Sequence, residues 1–245
     1  MRYEAPALEK GLDALELLSA TTNAMNLSEI SREVGRSRSE MYRVLQVLER
    51  RHYLERTGED DRYTATNRLF LLGMERPAVR GLLEIGLPLM HKLSEEIEQS
   101  CHLVVPSDQF MVVIARAESP YELGLVVKIG HRRPLLEGTS GLVLVAFQPE
   151  TVRAHWLQKY GATARRPSRA TLLETLTTIR EQGYAAIPST VVPGVTDTSA
   201  PVLFHSAAVA ALAVPYMDLA GVRMSQDEVI KALCATTNEI SNRLG

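Results

Sequence analysis

The stretch from Asn26 to Thr66 limits what this chain can fold into more than any other. Two helix starts are written into it. Asn26 is followed by Glu29, and Ser37 by Glu40, each at three-residue spacing. A side-chain oxygen at the first position satisfies free N–H groups of the first turn, and the glutamate reciprocates. Gly35, between the two, is free to take the left-handed conformation that ends a helix. The helix predicted from Arg38 to about Arg51 is two-faced. Met41, Val44, Leu45 and Leu48 form an apolar stripe, and Ser39, Tyr42, Arg43, Gln46 and Arg50 form a polar one. A helix that buries one stripe and presents Ser, Tyr, Arg and Gln on the other suits the major groove of DNA. Tyr53–Arg56 and Arg62–Thr66, around a polar turn, read as a hairpin. This is the layout of a winged helix-turn-helix. Arg62, just past the hairpin tip, is expected to enter a minor groove.

Charge supports a local basic surface but not a basic protein. The formal net charge of the 245 residues is −2, yet Arg32 to Arg56 holds seven arginines against four glutamates. Phosphate contacts depend on such a local excess. Charge alone does not separate a DNA surface from a solvated amphipathic helix.

Ala7 to Ala20 reads as a first helix, with Leu8, Leu12, Leu15 and Leu18 at three- and four-residue spacing. Asn67 to Met74 looks helical, Pro77 interrupts, and a longer helical pattern runs from about Val79 to Gln99, with Pro88 expected to start or kink it. From Cys101 the texture changes to short β-rich runs: His102–Val105, Phe110–Ala115, Leu123–Ile129 and Ala207–Tyr216. Helical segments lie among them at Glu150–Tyr160, Ser168–Gln182 and Ser225–Leu244. The class is therefore α+β, with a winged helix-turn-helix over residues 1–66, a helical linker over 67–99 and a mixed α/β domain over 100–245. Cys101 and Cys234 are the only cysteines and neither has a metal-ligand spacing, so no metal and no cofactor are expected. The N-terminus lacks the apolar core of a signal peptide, and the longest apolar run, Ala207–Val214, is too short to cross a bilayer; a cytoplasmic location without membrane partners is expected.

An ordered series of segments carries a family resemblance: ALEKGLDALELL, LSEISREVGRSRSEMYRVLQVLERRHYLER, RYTAT, NRLFLLG, LLEIGLPLMHKLSEE, VVIARAES, LEGTSGLVLVAF, IREQGYA, GVTDTSAPV and AALAVPY. In these the chain resembles the IclR family of bacterial transcriptional regulators over nearly its whole length. The resemblance implies a helical linker that also dimerises, a GAF-like domain that binds a small organic effector, and a homodimer or tetramer acting on operator DNA of catabolic genes. It places the DNA readers at Arg38, Ser39, Tyr42 and Arg43, with Arg62 in the wing. Glu40 stands where a small hydroxyl residue is usual. It either caps the helix or accepts from a cytosine N4, and its spacing from Ser37 favours the cap. His52 replaces a usual glycine, and histidine tolerates the left-handed conformation better than most residues.

The resemblance places the effector at Leu125, Arg133, Thr139, Ser140, Ile187, Val195, Asp197, Ala213 and Pro215. Relative to the family pattern, these positions have lost hydroxyls and gained apolar surface, an arginine and a carboxylate. That points away from very small carboxylates such as glyoxylate and pyruvate. It points towards a larger, partly aromatic metabolite with a donor for Asp197. Arg133 then binds a ligand carboxylate or neutralises Asp197; alternatively Asp197 faces solvent or caps a turn through Thr198 and Ser199.

No catalytic residue is assigned. Gly138-Thr139-Ser140-Gly141 fails the G-x-S-x-G nucleophile pattern, because Leu142 stands two residues after Ser140. Nothing pairs His131, His155 or His205 with Ser140 and an acid, and no phosphate, dinucleotide or metalloprotease motif is present. The chain is therefore expected not to be an enzyme. The alternative is a ligand sensor or scaffold whose helix-turn-helix mediates protein contacts.

Overall fold

A computed structural model describes residues 5–58, 61–74, 77–122, 124–160, 168–218 and 224–245. They form two compact units, residues 1–80 and 81–245, so the division falls inside the expected linker.

In the first unit, α1 (Pro6–Ala20), α2 (Leu27–Val34) and α3 (Arg38–Arg50) precede a hairpin of β1 (Leu54–Thr57) and β2 (Arg62–Ala65). Asn26 Oδ1 accepts from Ser28 N and Glu29 N at 2.9 and 3.0 Å, and Asn26 N–H donates to Glu29 Oε2 at 2.9 Å. Gly35 takes the left-handed conformation at φ 69°, and its N–H bonds the last carbonyls of α2. His52 does the same after α3 at φ 61°, so the cap survives without glycine. The core joins Leu15 and Leu18 of α1, Ile30 of α2, Met41 and Leu45 of α3, and Leu54 and Tyr63 of the hairpin. The buried face of α1 is rotated from the leucine repeat: Leu8 and Leu12 are exposed, while Ala14 and Gly11 turn inward. The hairpin is anchored to the chain before α2 by Met25 N to Tyr63 O at 3.0 Å and Tyr63 N to Met25 O at 2.8 Å. Then come α4 (Arg68–Met74) and α5 (Pro77–Ile97), which stays one helix through Pro88.

The second unit is built on a six-stranded antiparallel sheet. Its strands are β3 (Cys101–Ser107), β4 (Phe110–Ala117), β5 (Arg132–Pro134), β6 (Ala185–Pro188), β7 (Val195–Phe204) and β8 (Ala207–Met217), in the order β5-β4-β3-β8-β7-β6. Helices α6 (Thr139–Ala146), α7 (Glu150–Tyr160) and α8 (Arg169–Gln182) share a core with Val104, Val113 and Ala211 of the sheet. Helix α9 (Gln226–Leu244) packs on β7 and β8, and Leu103 lies near Gly86 of α5, as does Ile240 of α9. Leu103 and Val104, adjacent on β3, thus serve opposite faces, as strand geometry requires. The hairpin β7–β8 turns on His205 and Ser206, both at positive φ (46° and 66°), matching the two-residue turns that suit twisted strands.

Two readings of the sequence are corrected. The run expected as a strand, Leu123–Ile129, has no strand over 124–129; Leu123 itself lies outside the described residues. Strands β5, β6 and β7 were not expected. Pro201 argues against a central strand, but β6 pairs only with Thr196–Ser199, so Pro201 lies past its end, where no ladder bond from that side is needed.

Candidate DNA-reading face and ligand cavity

Helix α3 is held from behind by Met41 and Leu45, both fully buried. Its other face exposes Arg38, Ser39, Tyr42, Arg43 and Gln46. Gln46 Nε2 donates to Tyr42 Oη at 2.8 Å, so two side chains one turn apart are presented together. Among the described residues Arg38 and Arg43 make no ion pair.

Glu40 is exposed but occupied. Its Oε2 accepts from Ser37 N at 3.2 Å and Ser37 Oγ at 2.6 Å, and its Oε1 from Lys10 Nζ at 2.5 Å. The Lys10 bond, then those from Ser37, bring its carboxyl down to about 2. Of the two readings for this position, the geometry matches the cap, which also ties α3 to α1.

Arg62 is directed differently from the expectation of a free minor-groove arginine. Its Nη1 donates to Ala24 O at 2.7 Å and Glu29 Oε2 at 3.1 Å, and its Nη2 to Glu29 Oε1 at 3.3 Å. Glu29 is the capping residue of α2, and the Asn26 backbone bond, with Arg62 behind it, lowers its pKa. Arg62 therefore braces the hairpin against the start of α2. Arg56, on the same hairpin, is braced too, 3.0 Å from both Glu49 and Asp61 and stacked over Tyr63. Sequence spacing did not reveal the pairs with Glu29 and Glu49, because those partners lie on helices α2 and α3.

In the second unit a cavity of about 330 Å³ opens between the sheet, the start of α6 and the segments 125–131 and 189–192. It brings together Leu125, Arg133, Thr139, Ser140, Asp197, Ala213 and Pro215. Val195 is buried and does not line it, and Ile187 lines an adjoining hollow. The sequence reading missed His102, Lys128 and His131, which also line it. His102 sits on β3, within a run read only for its apolar residues, and Lys128 lay in the run mistaken for a strand. Burial, helped by neighbouring His131, holds His102 at about 4, so it is neutral near pH 7.

The walls are mostly apolar, from Met111, Val113, Val126, Val127, Val191 and Val214. Gly138, Thr139 and Ser140 bring the N-terminus of α6 to the cavity, and Gly138 supplies no side-chain cap. The first turn of a helix has unpaired N–H groups and the positive end of its dipole, which suits an anion. Arg133 Nη2 donates to Thr190 Oγ1 at 2.7 Å rather than to Asp197. Asp197 lies within β7 and caps no turn. Among the described residues its carboxylate has no hydrogen-bond partner, and no cluster of three His, Cys, Asp or Glu is placed to hold a metal ion.

The G-T-S-G segment has a packing reason. A β-carbon on Gly141 would lie 1.9 Å from Leu135 O, so the start of α6 rests directly on main chain. This is the requirement of a close approach and not of a nucleophile.

Comparison with known proteins agrees with this architecture. Residues 7–58 match the IclR helix-turn-helix domain, and residues 78–242 match the bacterial transcriptional regulator IclR C-terminal domain. The chain is 27% identical over 226 residues to the HTH-type transcriptional regulator KdgR of Escherichia coli (strain K12), covering 90% of this chain and 86% of that one. It is 24% identical over 260 residues to the p-hydroxybenzoate hydroxylase transcriptional activator of Acinetobacter baylyi, covering 96% and 90%. The crystal structure of an IclR homolog complexed with 4-hydroxybenzoate from Microbacterium hydrocarbonoxydans shares the fold, with a TM-score of 0.79, 22% identity and coverage of 97% and 98%. These relatives are regulators rather than enzymes. With both matched segments together spanning most of its length, the chain belongs to the IclR family of transcriptional regulators.

Proposed function

We propose that this regulator reads operator DNA with the exposed face of α3 and responds to an organic acid with an apolar, aromatic-sized body held in the cavity of the second unit. The cavity carries the reading: mostly apolar walls, with the start of α6, Arg133 and Lys128 at its polar side. A carboxylate is stabilised at a helix N-terminus and beside a guanidinium, and an aryl group by the valine-rich walls. Two relatives are named for a hydroxybenzoate connection, which supports the same class of ligand. Arg38, Ser39, Tyr42 and Arg43 are the readers, and Glu40 positions the helix. Leu69, Phe70 and Leu71 of α4 are exposed, which supports a homodimer that buries them. A dimer sets two α3 helices on successive half-sites. The effector shifts DNA affinity only by binding one arrangement of the heads better than another.

The test is fluorescence anisotropy of the full-length protein with DNA from its own upstream region, against unrelated competitor DNA and with a panel of aromatic acids. Specific binding shifted by one of the acids is the expected result. Specific binding that no acid alters refutes the effector class, and absence of specific binding favours a sensor that acts through protein contacts.

A further inference from the structure

A second hollow, of about 540 Å³, lies beside the cavity and shares Arg133, Thr139 and Asp197 with it. The segment after β6 runs along the boundary. Ser189, Val191 and Val192 line the first lobe, whereas Thr190 lines the second. Arg133, which lines both, spans this boundary through its bond to Thr190 Oγ1.

The two lobes differ in chemistry. The ionisable groups found only in the first are Lys128, His131 and His102, whereas the second adds Glu137 and the hydroxyls of Thr175 and Thr190 to its apolar residues. Asp197 stands at the boundary, half-buried and without a hydrogen-bond partner among the described residues. A carboxylate drawn partly out of water is costly unless a donor meets it. The boundary thus holds one group that wants an anion, Arg133, and one that wants a donor, Asp197. Among the described residues Arg133 is held only by a neutral hydroxyl, and a carboxylate is the stronger acceptor for a guanidinium.

We propose that the effector spans both lobes. Its apolar group lies in the first, its carboxylate displaces Thr190 from Arg133 at the boundary, and a tail bearing amine or hydroxyl donors reaches Asp197 and Glu137 in the second. The inference rests on the reading of the first lobe as the effector site. It adds a ligand class: acids whose carboxylate-bearing carbon also carries a donor-rich chain, as opposed to simple aryl acids. It also gives Arg133 the role of selecting between them.

Calorimetric titration of the full-length protein with three matched probes tests this. N-benzoylglycine ends at the carboxylate, Nα-benzoyl-lysine adds an ammonium tail, and Nα-benzoyl-norleucine adds an apolar tail of similar length. The lysine compound is expected to bind at least tenfold more tightly than either of the others. Thr175→Trp, which fills the second lobe from α8, is expected to reduce the lysine-to-glycine affinity ratio to near one. Asp197→Asn combined with Glu137→Gln, which changes charge without changing volume, reads the same ratio if the tryptophan disturbs folding. Equal binding of the glycine and lysine compounds, or a ratio indifferent to these variants, overturns the second lobe and leaves the first in place. No binding by any of the three removes the first-lobe reading and this inference with it.

Discussion

Gly141→Ala adds one carbon to the chain, and the structure says it has nowhere to go. The new β-carbon would lie 1.9 Å from Leu135 O, 2.7 Å from its carbonyl carbon and 2.9 Å from its Cα. Favourable carbon contacts begin at about 3.5 Å, so something must move by more than an ångström. Neither side retreats easily. Leu135 N–H is held by Gln109 O at 2.9 Å, and Val143, Leu144, Val145 and Ala146 of α6 are all fully buried. Overpacking a tight core costs about 1–3 kcal/mol, and contact with main chain puts this case at the upper end. Removing a glycine from a helix interior returns about 0.5–1 kcal/mol, so a net loss of roughly 2 kcal/mol is expected. For a unit of this size that lowers the melting temperature by about 4–8 °C. Gly86→Ala is the control. It is also helical, but its added carbon would meet Leu103 Cδ2 at 3.7 Å and Ile240 Cδ1 at 4.0 Å, which is ordinary contact. That variant is expected to melt at or slightly above the wild-type temperature by circular dichroism. If Gly141→Ala does the same, the close approach of α6 to Leu135 is not what the glycine serves.

Other outcomes follow from the DNA-reading unit. Arg43→Ala is expected to weaken operator binding by about 1–3 kcal/mol if the side chain contacts a base, read by anisotropy against a single-base-substituted operator; equal loss on both DNAs would assign it to phosphate. Arg62→Ala is expected to lower the melting temperature, through loss of a half-exposed ion pair and a backbone bond worth about 1 kcal/mol together. The salt dependence of its DNA binding should stay unchanged, and a slope reduced by about one would show that Arg62 contacts phosphate after all. Glu40 has a folded-state pKa lowered to about 2, so its stabilising bonds are complete above the unfolded value of 4.5 and are lost as pH falls from there towards 2. The stability difference between wild type and Glu40→Gln should therefore be constant above about pH 5.5 and shrink on acidification; a difference that grows instead would contradict the assignment.

How much was legible depended on where each signal is kept. The two helix starts at Asn26 and Ser37 were readable because a capping box is a local pattern, and both glutamates occupy the expected place. The core face of α3 was readable because its apolar positions follow the helical period. In α1 the same kind of repeat misled: Leu8 and Leu12 are exposed, while the small residues Gly11 and Ala14 take the inner face because α3 passes close to them. Composition favours leucine inside, but proximity of a neighbouring helix favours the residue without bulk. Strand β7 was hidden for a related reason. Its middle, Thr198 to Val202, is buried on both faces, so that part of the sequence does not alternate, and its proline is allowed only because a partner strand stops short. Such facts belong to pairs of elements and have no signature within one.

Arg62 shows the same limit at a position expected to contact DNA. Its place after the hairpin tip suggested a hand reaching outward, and its chemistry fits that role equally well. The deciding fact is a partner 33 residues away: Glu29, whose carboxylate already closes the start of α2. One carboxylate thus joins the helix start, the hairpin and, through Arg62 to Ala24 O, the turn before α2. The consequence is that the hairpin is tied to the helix-turn-helix by an internal ion pair, which positions the wing. On this arrangement, Glu29→Gln, which keeps the acceptor that caps α2 but removes the charge, and Arg62→Ala should be non-additive in stability, each costing less in the presence of the other. In operator binding the loss from Arg62→Ala should be the same with and without Glu29→Gln if Arg62 serves the phosphate backbone. A double-mutant cycle measured in both stability and operator binding separates the brace from the contact, because only the brace couples the two side chains.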